Sequence, residues 1–357
     1  MKGKTLLGLL LFFLMFLIPF LSLGAKIPDK TDKPSSKAAS SVPPQKQNQS
    51  QEKPQSQPTS QTPQSTAPAA QGTAQFKILD AKSSQILTVD DRSFLYGAIA
   101  TEMSPESSPE ALKAQGVAAY TYYSRLREQE RTTPTAALKG ADFSADTQGW
   151  QIYVTNAQMQ ERWGTNFNEY YNKLTQVVNA VYGQVLKSGD DLADATYYAI
   201  SSGNTETSED IWGGKRSYLV SVASPGDVFS SGYQTTVTLS ADQFKAAALK
   251  VAPKANLGAD AAKWVGSIAR TTAGSVKTIE IGGVSVTGND ARNAFNLRSA
   301  NFTVSCKNNT FTFVVKGYGH GVGMSQVGAQ YMASQGSDYK QILAWYYPTT
   351  TLTTVST

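Results

Sequence analysis

The chain has 357 residues, 40% of them hydrophobic, with one cysteine and one histidine. That is room for one large or two average domains, and it excludes an internal disulfide and a closed structural zinc site. Eight lysines against three acids in residues 1–75 account for the whole net charge of +5 and leave the remainder formally neutral. A nucleic-acid-binding domain would carry its own basic patch, so that class is disfavoured.

Lys2 and Lys4 precede about twenty uncharged residues, 5–24, dominated by Leu and Phe. At ~1.5 Å per residue such a helix spans ~30 Å, the thickness of a bilayer core. The pattern favours an uncleaved signal anchor over residues 1–25. A cleaved signal peptide ending near Ser22, Gly24 and Ala25 is the competing reading. Either one exports the rest of the chain. Residues 26–75 are Ser, Gln, Pro, Thr, Lys and Ala with almost no large apolar side chain. They cannot bury enough surface to offset ordering entropy, and they read as a disordered tether spanning on the order of 40 Å.

From residue 76 onward the pattern is globular. Residues 76–80 and 85–89 are strand-like, and Asp90 or Asp91 caps a helix with Phe94, Leu95, Ala98 and Ile99 at helical spacing. That helix ends at Glu102. A carboxyl held there against apolar neighbours has a raised pKa and suits proton donation, whereas an exposed helix-end glutamate is the plainer outcome. A second helix starts at Ser107-Ser108-Pro109, with a capping serine and a proline in the first turn. It continues through the stripe Ala111, Leu112, Gln115, Ala118, Ala119 and Tyr122.

Residues 166–185 read as a further helix and 195–200 as a strand opening onto the polar loop Ser201-Ser202-Gly203-Asn204-Thr205. Trp212, beside Gly213 and Gly214, suits stacking on a sugar face or a half-buried core position. Residues 236–286 suggest an inserted α/β lobe, with a hairpin at Gly282-Gly283. A helix at 289–297 returns to strands 302–306 and 311–315, joined at Asn308-Asn309. Cys306 reads as a small core residue.

Residues 316–333 then place five glycines in twelve positions around His320, the only histidine. Glycine reaches backbone conformations closed to other residues and admits close approach. The stretch reads as a strand feeding a tight loop that presents an imidazole (His320), a hydroxyl (Ser325) and an amide (Gln326). The plainer alternative is a glycine-rich turn with an incidental histidine. No internal repeat, phosphate-binding Gly-Lys loop or Ser-His-Asp spacing is present. The whole pattern is α+β: helices packed on a mixed or antiparallel sheet around a cleft, with a smaller α/β lobe inserted in a domain spanning 76–357.

Six separated stretches, in order, resemble the stage II sporulation protein D family of bacterial cell-wall lytic enzymes. They are residues 94–103, 109–119 and 201–205, Ile211-Trp212-Gly213 with Tyr218-Leu219, residues 319–329, and residues 342–348. The resemblance covers roughly residues 76–353. It implies a lytic transglycosylase that cleaves the glycan strands of peptidoglycan after their stem peptides are removed, leaving 1,6-anhydro-muramic ends, with no cofactor. Glu102 would be the catalytic acid and base. Lys113, Ser202, Thr205, Trp212, His320, Ser325 and Gln326 would line the cleft, His320 either orienting the sugar or supporting the acid.

Two departures stand out. Tyr120 occupies the place of a usual arginine after Ala118-Ala119, which implies weaker substrate binding there, and Arg125 lies on another helix face. Ser144 and Trp150 stand near the places of two zinc-holding cysteines of some members, so no metal is expected. The implied partners are the sporulation amidase (stage II sporulation protein P) and a membrane protein (stage II sporulation protein M). The implied location is the mother-cell engulfing membrane, with the domain outside. Related amidase-enhancer proteins supply an alternative, a non-catalytic glycan-binding activator of a cell-wall amidase.

Overall fold

Alternation in the first globular residues produces a hairpin that runs directly into the first helix. A computed structural model describes residues 74–146, 149 and 151–355, all within a unit spanning Ala69–Thr357. The expected anchor, nearly all of the expected tether, and Trp150 lie outside the described residues. Strands β1 (Gln75–Asp80) and β2 (Ile86–Asp90) pair antiparallel. Helix α1 (Asp91–Glu102) follows at once because Asp90 accepts the Ser93 backbone N–H at 2.9 Å, filling an orphan donor of the first turn. It buries seven consecutive residues from Phe94 to Ala100. A side chain at Gly97 would overlap the Val154 carbonyl and the Tyr153 ring, so glycine is what lets that loop close on the helix.

Helix α2 (Pro109–Thr132) crosses the middle of the domain and is buried on most sides. Its Ser108 does not cap through the hydroxyl as expected; instead the Ser108 N–H donates to the Gln330 side chain at 2.7 Å. Strand β3 (Phe143–Ala145) joins β1 in parallel, and the Ser144 hydroxyl donates to the Leu79 carbonyl. Helix α3 (Asn156–Trp163) has a reciprocal Thr155–Gln158 capping box. Helix α4 (Phe167–Val181) buries Leu174, Val177, Val178 and Val181. It stops short of the expected residue 185 because Gly183 takes a left-handed φ of 80°, and the next residues turn into strand β4 (Gln184–Ser188). Strand β5 (Asp191–Leu192) pairs with β4, and the two-residue strand β6 (Tyr197–Tyr198) and helix α5 (Ser208–Trp212) follow.

Strand β7 (Gln234–Ser240) and helix α6 (Ala241–Val251) lead to β8 (Val265–Arg270), β9 (Val276–Ile281), β10 (Val284–Thr287) and helix α7 (Gly288–Ala294). Strands β11 (Phe302–Lys307) and β12 (Thr310–Lys316) form a hairpin through Asn308 and Asn309, both left-handed, as a tight two-residue turn requires. The chain ends through β13 (Met324–Ser325), α8 (Gln326–Ser334), α9 (Tyr339–Tyr346) and β14 (Thr351–Thr354).

The α+β character stands. The expected single sheet, however, is replaced among the described residues by five small ones: β2-β1-β3, β14-β4-β5, β13-β6, β11-β12-β7 and β10-β9-β8. Strands β3, β4 and β5 gather about α2, whereas β7, β9, β10 and β12 pack on α6 and α7, so no single plane serves both sets. Phe76, Phe94, Tyr123, Phe143 and Tyr153 form one ring cluster. A second core draws on residues 237–315, where Phe244 stacks on Phe311 with centroids 3.8 Å apart, flanked by Trp264, Phe295 and Phe313. Cys306 packs half-buried against it. Each fully buried phenylalanine contributes about 1.5–3 kcal/mol from removal of apolar surface from water.

Candidate active site

Glu102 closes α1 at the point where the apolar helix meets α8 and β6. Its Oε2 accepts from Gln326 Nε2 at 3.1 Å, and Tyr197 Oη stands 3.5 Å from Oε1. The same Gln326 amide reaches Gln115 Oε1 on α2 at 3.4 Å. Burial pushes the Glu102 carboxyl up to about 7, against the two side-chain hydrogen bonds, which favour the charged form. The Tyr197 and Tyr123 hydroxyls are hydrogen-bonded to each other, and burial with the adjacent Glu102 charge holds both phenols protonated. Glu102 is therefore a proton carrier poised near neutrality, met among the described residues by an amide and phenols rather than by a second carboxylate.

Local backbone geometry sets that contact. Strand β13 lies parallel to β6, with Met324 opposite Tyr197 and Ser325 opposite Tyr198. Gly323, at φ 82°, brings the chain against the Thr196 carbonyl in space a side chain would fill. Ser325 then caps α8, accepting the Gly328 N–H at 3.1 Å and donating to Asp227 at 2.5 Å. Gln326, the first helical residue, is thereby aimed at Glu102. Asp227 is fully buried and also accepts from the Ser201 N–H and the Ser224 hydroxyl. Burial raises its pKa, and the three donors oppose the shift.

His320 uses both ring nitrogens. Nδ1 accepts the Val322 N–H at 3.1 Å, so Nε2 carries the proton and donates to the Tyr197 carbonyl at 3.0 Å. Burial first, then the Arg292 charge, lowers its pKa to about 3. The ring stands beside Tyr198 and Trp212, at 5.5 and 5.2 Å between centroids. It is a neutral brace for the strand that carries Tyr197, so of the two sequence-based roles the geometry favours support of the acid.

The remaining sequence-predicted residues divide. Trp212 is half-buried at the end of α5, against His320. Ser202 is half-buried, and its carbonyl accepts from Tyr233 Oη. Thr205 is fully buried and ties its loop to the facing segment, donating to the Val220 carbonyl and accepting the Val222 N–H. Lys113 turns to Glu110 at 2.6 Å and to the Tyr339 ring, on the opposite side of α2 from Gln115, about 160° round the helix. Tyr120 donates to Asp91 at 2.6 Å, beside Tyr182, which donates to the other Asp91 oxygen. Asp91 begins α1 and Glu102 ends it, so the Tyr120 hydroxyl is turned to the far end of that helix, about 16 Å along its axis from the acid. The departure from the usual arginine thus falls on a buried carboxylate at the far end of the helix.

Sequence reasoning missed Tyr197, Tyr123 and Asp227 as site residues, and it saw Gln115 only as part of an apolar stripe. Gln115 had a signal, being a large polar side chain inside an alanine-rich buried face. Tyr197 and Asp227 had none beyond lying in strand-like and loop-like runs.

A family model described as stage II sporulation protein (SpoIID) matches residues 80–187. The chain is 33% identical over 291 residues to stage II sporulation protein D of Bacillus subtilis (strain 168), covering 79% of this chain and 82% of that protein. It is 36% identical over 255 residues to stage II sporulation protein D of Bacillus amyloliquefaciens, covering 71% of each. The amidase enhancer of Bacillus subtilis (strain 168) is 29% identical over 310 residues, covering 72% of this chain and 40% of that longer protein.

Proposed function

The chain belongs to the stage II sporulation protein D family, and from that premise we propose that it is a lytic transglycosylase of peptidoglycan glycan strands, with Glu102 as acid and base. The observation that carries the reading is the Glu102 carboxyl, held near neutrality by burial and met by Gln326 and Tyr197. Protonated Glu102 gives its proton to the glycosidic oxygen as the bond from muramic C1 breaks, and the leaving sugar departs with a new hydroxyl. The carboxylate then takes the proton of the muramic 6-hydroxyl as O6 bonds to C1. A 1,6-anhydro ring forms, Glu102 regains its proton and no water is consumed. This route differs from the paired-carboxylate hydrolases, where a second acid activates water or attacks the sugar. A single carboxyl among neutral groups suits it.

In this reading the domain works outside the cell membrane on an anchor at residues 1–25 and a tether at 26–75. It acts during engulfment with the sporulation amidase that strips stem peptides and a membrane protein that localises both. Full-length protein incubated with peptide-stripped strands should yield anhydro-muramic ends by mass spectrometry, and Glu102→Ala should yield none. Reducing ends in their place would make the protein a hydrolase. The likeness to the amidase enhancer favours a second reading, a glycan-binding activator of an amidase without turnover. Intact strands with retained binding in both proteins would select it.

A further inference from the structure

Beside His320 lies a cluster of two arginines that form no ion pair among the described residues. Arg292, on α7, donates from Nε to the Leu297 carbonyl at 3.3 Å and makes no ion pair among the described residues. Burial lowers its pKa, and the Tyr318 phenol opposes the shift. Arg298 stacks its guanidinium 4.1 Å above the Tyr318 ring and also lacks an ion pair among the described residues. The backbone ties this cluster to the glycine-rich loop, because the Gly319 N–H donates to the Arg298 carbonyl at 2.9 Å. Trp212 stands on the His320 ring, and all five side chains are half-buried. The pocket of about 400 Å³ at Arg125 and Arg216 differs, since Glu128 and Asp191 line it and Asp194 faces both arginines.

Holding a guanidinium partly out of water without an ion-pair partner is costly, and an arriving anion would relieve that cost. Two arginines and an indole gathered about residues 318–320 form a recognisable combination: the forks take a carboxylate in bidentate fashion, and the indole takes the apolar face of a ring. A muramic residue presents both parts. Its lactyl group ends in a carboxylate when no peptide is attached, and in a neutral amide when one is. We propose that Arg292 and Arg298, with Trp212, form a subsite that reads the free lactyl carboxylate of a muramic residue along the strand. This inference rests on the glycan reading above and adds the residues that give the strand its specificity.

The test measures binding to strands that are not cut, using full-length Glu102→Gln protein. Peptide-stripped strands are compared with the same strands after their carboxylates are converted to amides. Amidation should weaken binding on the order of tenfold, as expected for loss of a charge-assisted bidentate pair. Adding Arg298→Gln should lower affinity for the carboxylate strands and leave amidated strands unaffected, so that the two strands then bind alike. Arg292→Lys, which keeps charge but loses the fork, should fall between and guards against a misfolded Arg292→Gln. Equal binding of both strands by the parent protein overturns the subsite and leaves the glycan reading standing. An equal loss on both strands in Arg298→Gln also overturns it, making the arginine structural. Failure to bind either strand overturns both readings together.

Discussion

Burial sets the chemistry of single residues here, and it acts with opposite sign on Glu102 and His320. Glu102 binds its proton more tightly folded than unfolded, its pKa rising from 4.5 to about 7. Its contribution to stability is therefore present below about pH 4.5 and lost as pH rises through about 7. Activity that needs the protonated acid should fall above the same value. Glu102→Gln should cut strand cleavage by roughly 10²–10⁴-fold while raising Tm at about pH 8.5 and leaving it unchanged at about pH 4.5. An unchanged Tm at the higher pH would mean that the carboxyl is not desolvated. His320 runs the other way, lowered from 6.5 to about 3. Its contribution is intact above about pH 6.5 and lost as pH falls toward about 3. Nitrogen shifts of the imidazole should show the neutral Nε2–H tautomer down to about pH 4, and a titration near 6.5 would refute the brace. Glu102 and Gln326 were legible in sequence because a helix end and a glycine-rich loop mark them. Thr205 and Ser325 were expected to line the cleft, yet loop hydroxyls often bond nearby backbone, and both turned inward.

At the scale of elements, the position of Gln326 depends on how α8 begins. Asp227 gathers the Ser201 N–H, the Ser224 hydroxyl and the Ser325 hydroxyl, and Ser224 also meets Tyr346 of α9 at 2.6 Å. One carboxylate thus ties the loop after β6, the turn Pro225–Phe229 and the cap of α8. Removing it orphans three buried donors, so Asp227→Ala should cost about 3–5 kcal/mol in denaturant unfolding. It should also lower kcat more than it alters KM, since Trp212 is untouched and the amide facing Glu102 is not. A change in KM alone would place Asp227 at the substrate instead. Long helices and hairpins were readable because their caps and turns are written locally, as at Asp90, Asp338 and Asn308-Asn309. The two-residue strands β6 and β13 were not, because a parallel pair joined across more than a hundred residues leaves no local period. That unreadable pair is what brings Tyr197 to Glu102.

Over the whole described unit, Glu206 ties the glycine-rich loop to the turn between β8 and β9 beside the second ring-rich core, and so holds a seam. Its backbone N–H donates to the Gly321 carbonyl at 2.7 Å, beside a bridge to Val322. Its Oε1 accepts from the Thr271 hydroxyl at 3.1 Å and the Ser275 N–H at 3.3 Å, in the turn joining β8 to β9. The sequence showed a change of pattern near residue 236, but a seam made by one side chain 65 residues from its partner has no signature in composition or period. Because Gly321 adjoins His320, slack at the seam is transmitted to the Tyr197 carbonyl and so to the acid's environment. Glu206→Ala should speed amide hydrogen exchange at 271–275 and 321–322, while amides around Phe244 and Phe94 in the two cores keep their protection. Cleavage should slow with the Glu102 pH limb displaced toward lower pH, as water reaches a less tightly enclosed carboxyl and its proton affinity falls back toward 4.5. Uniformly faster exchange with an unmoved limb would mean that Glu206 only adds stability. A local change with a displaced limb would mean that the lobe helps to tune the acid.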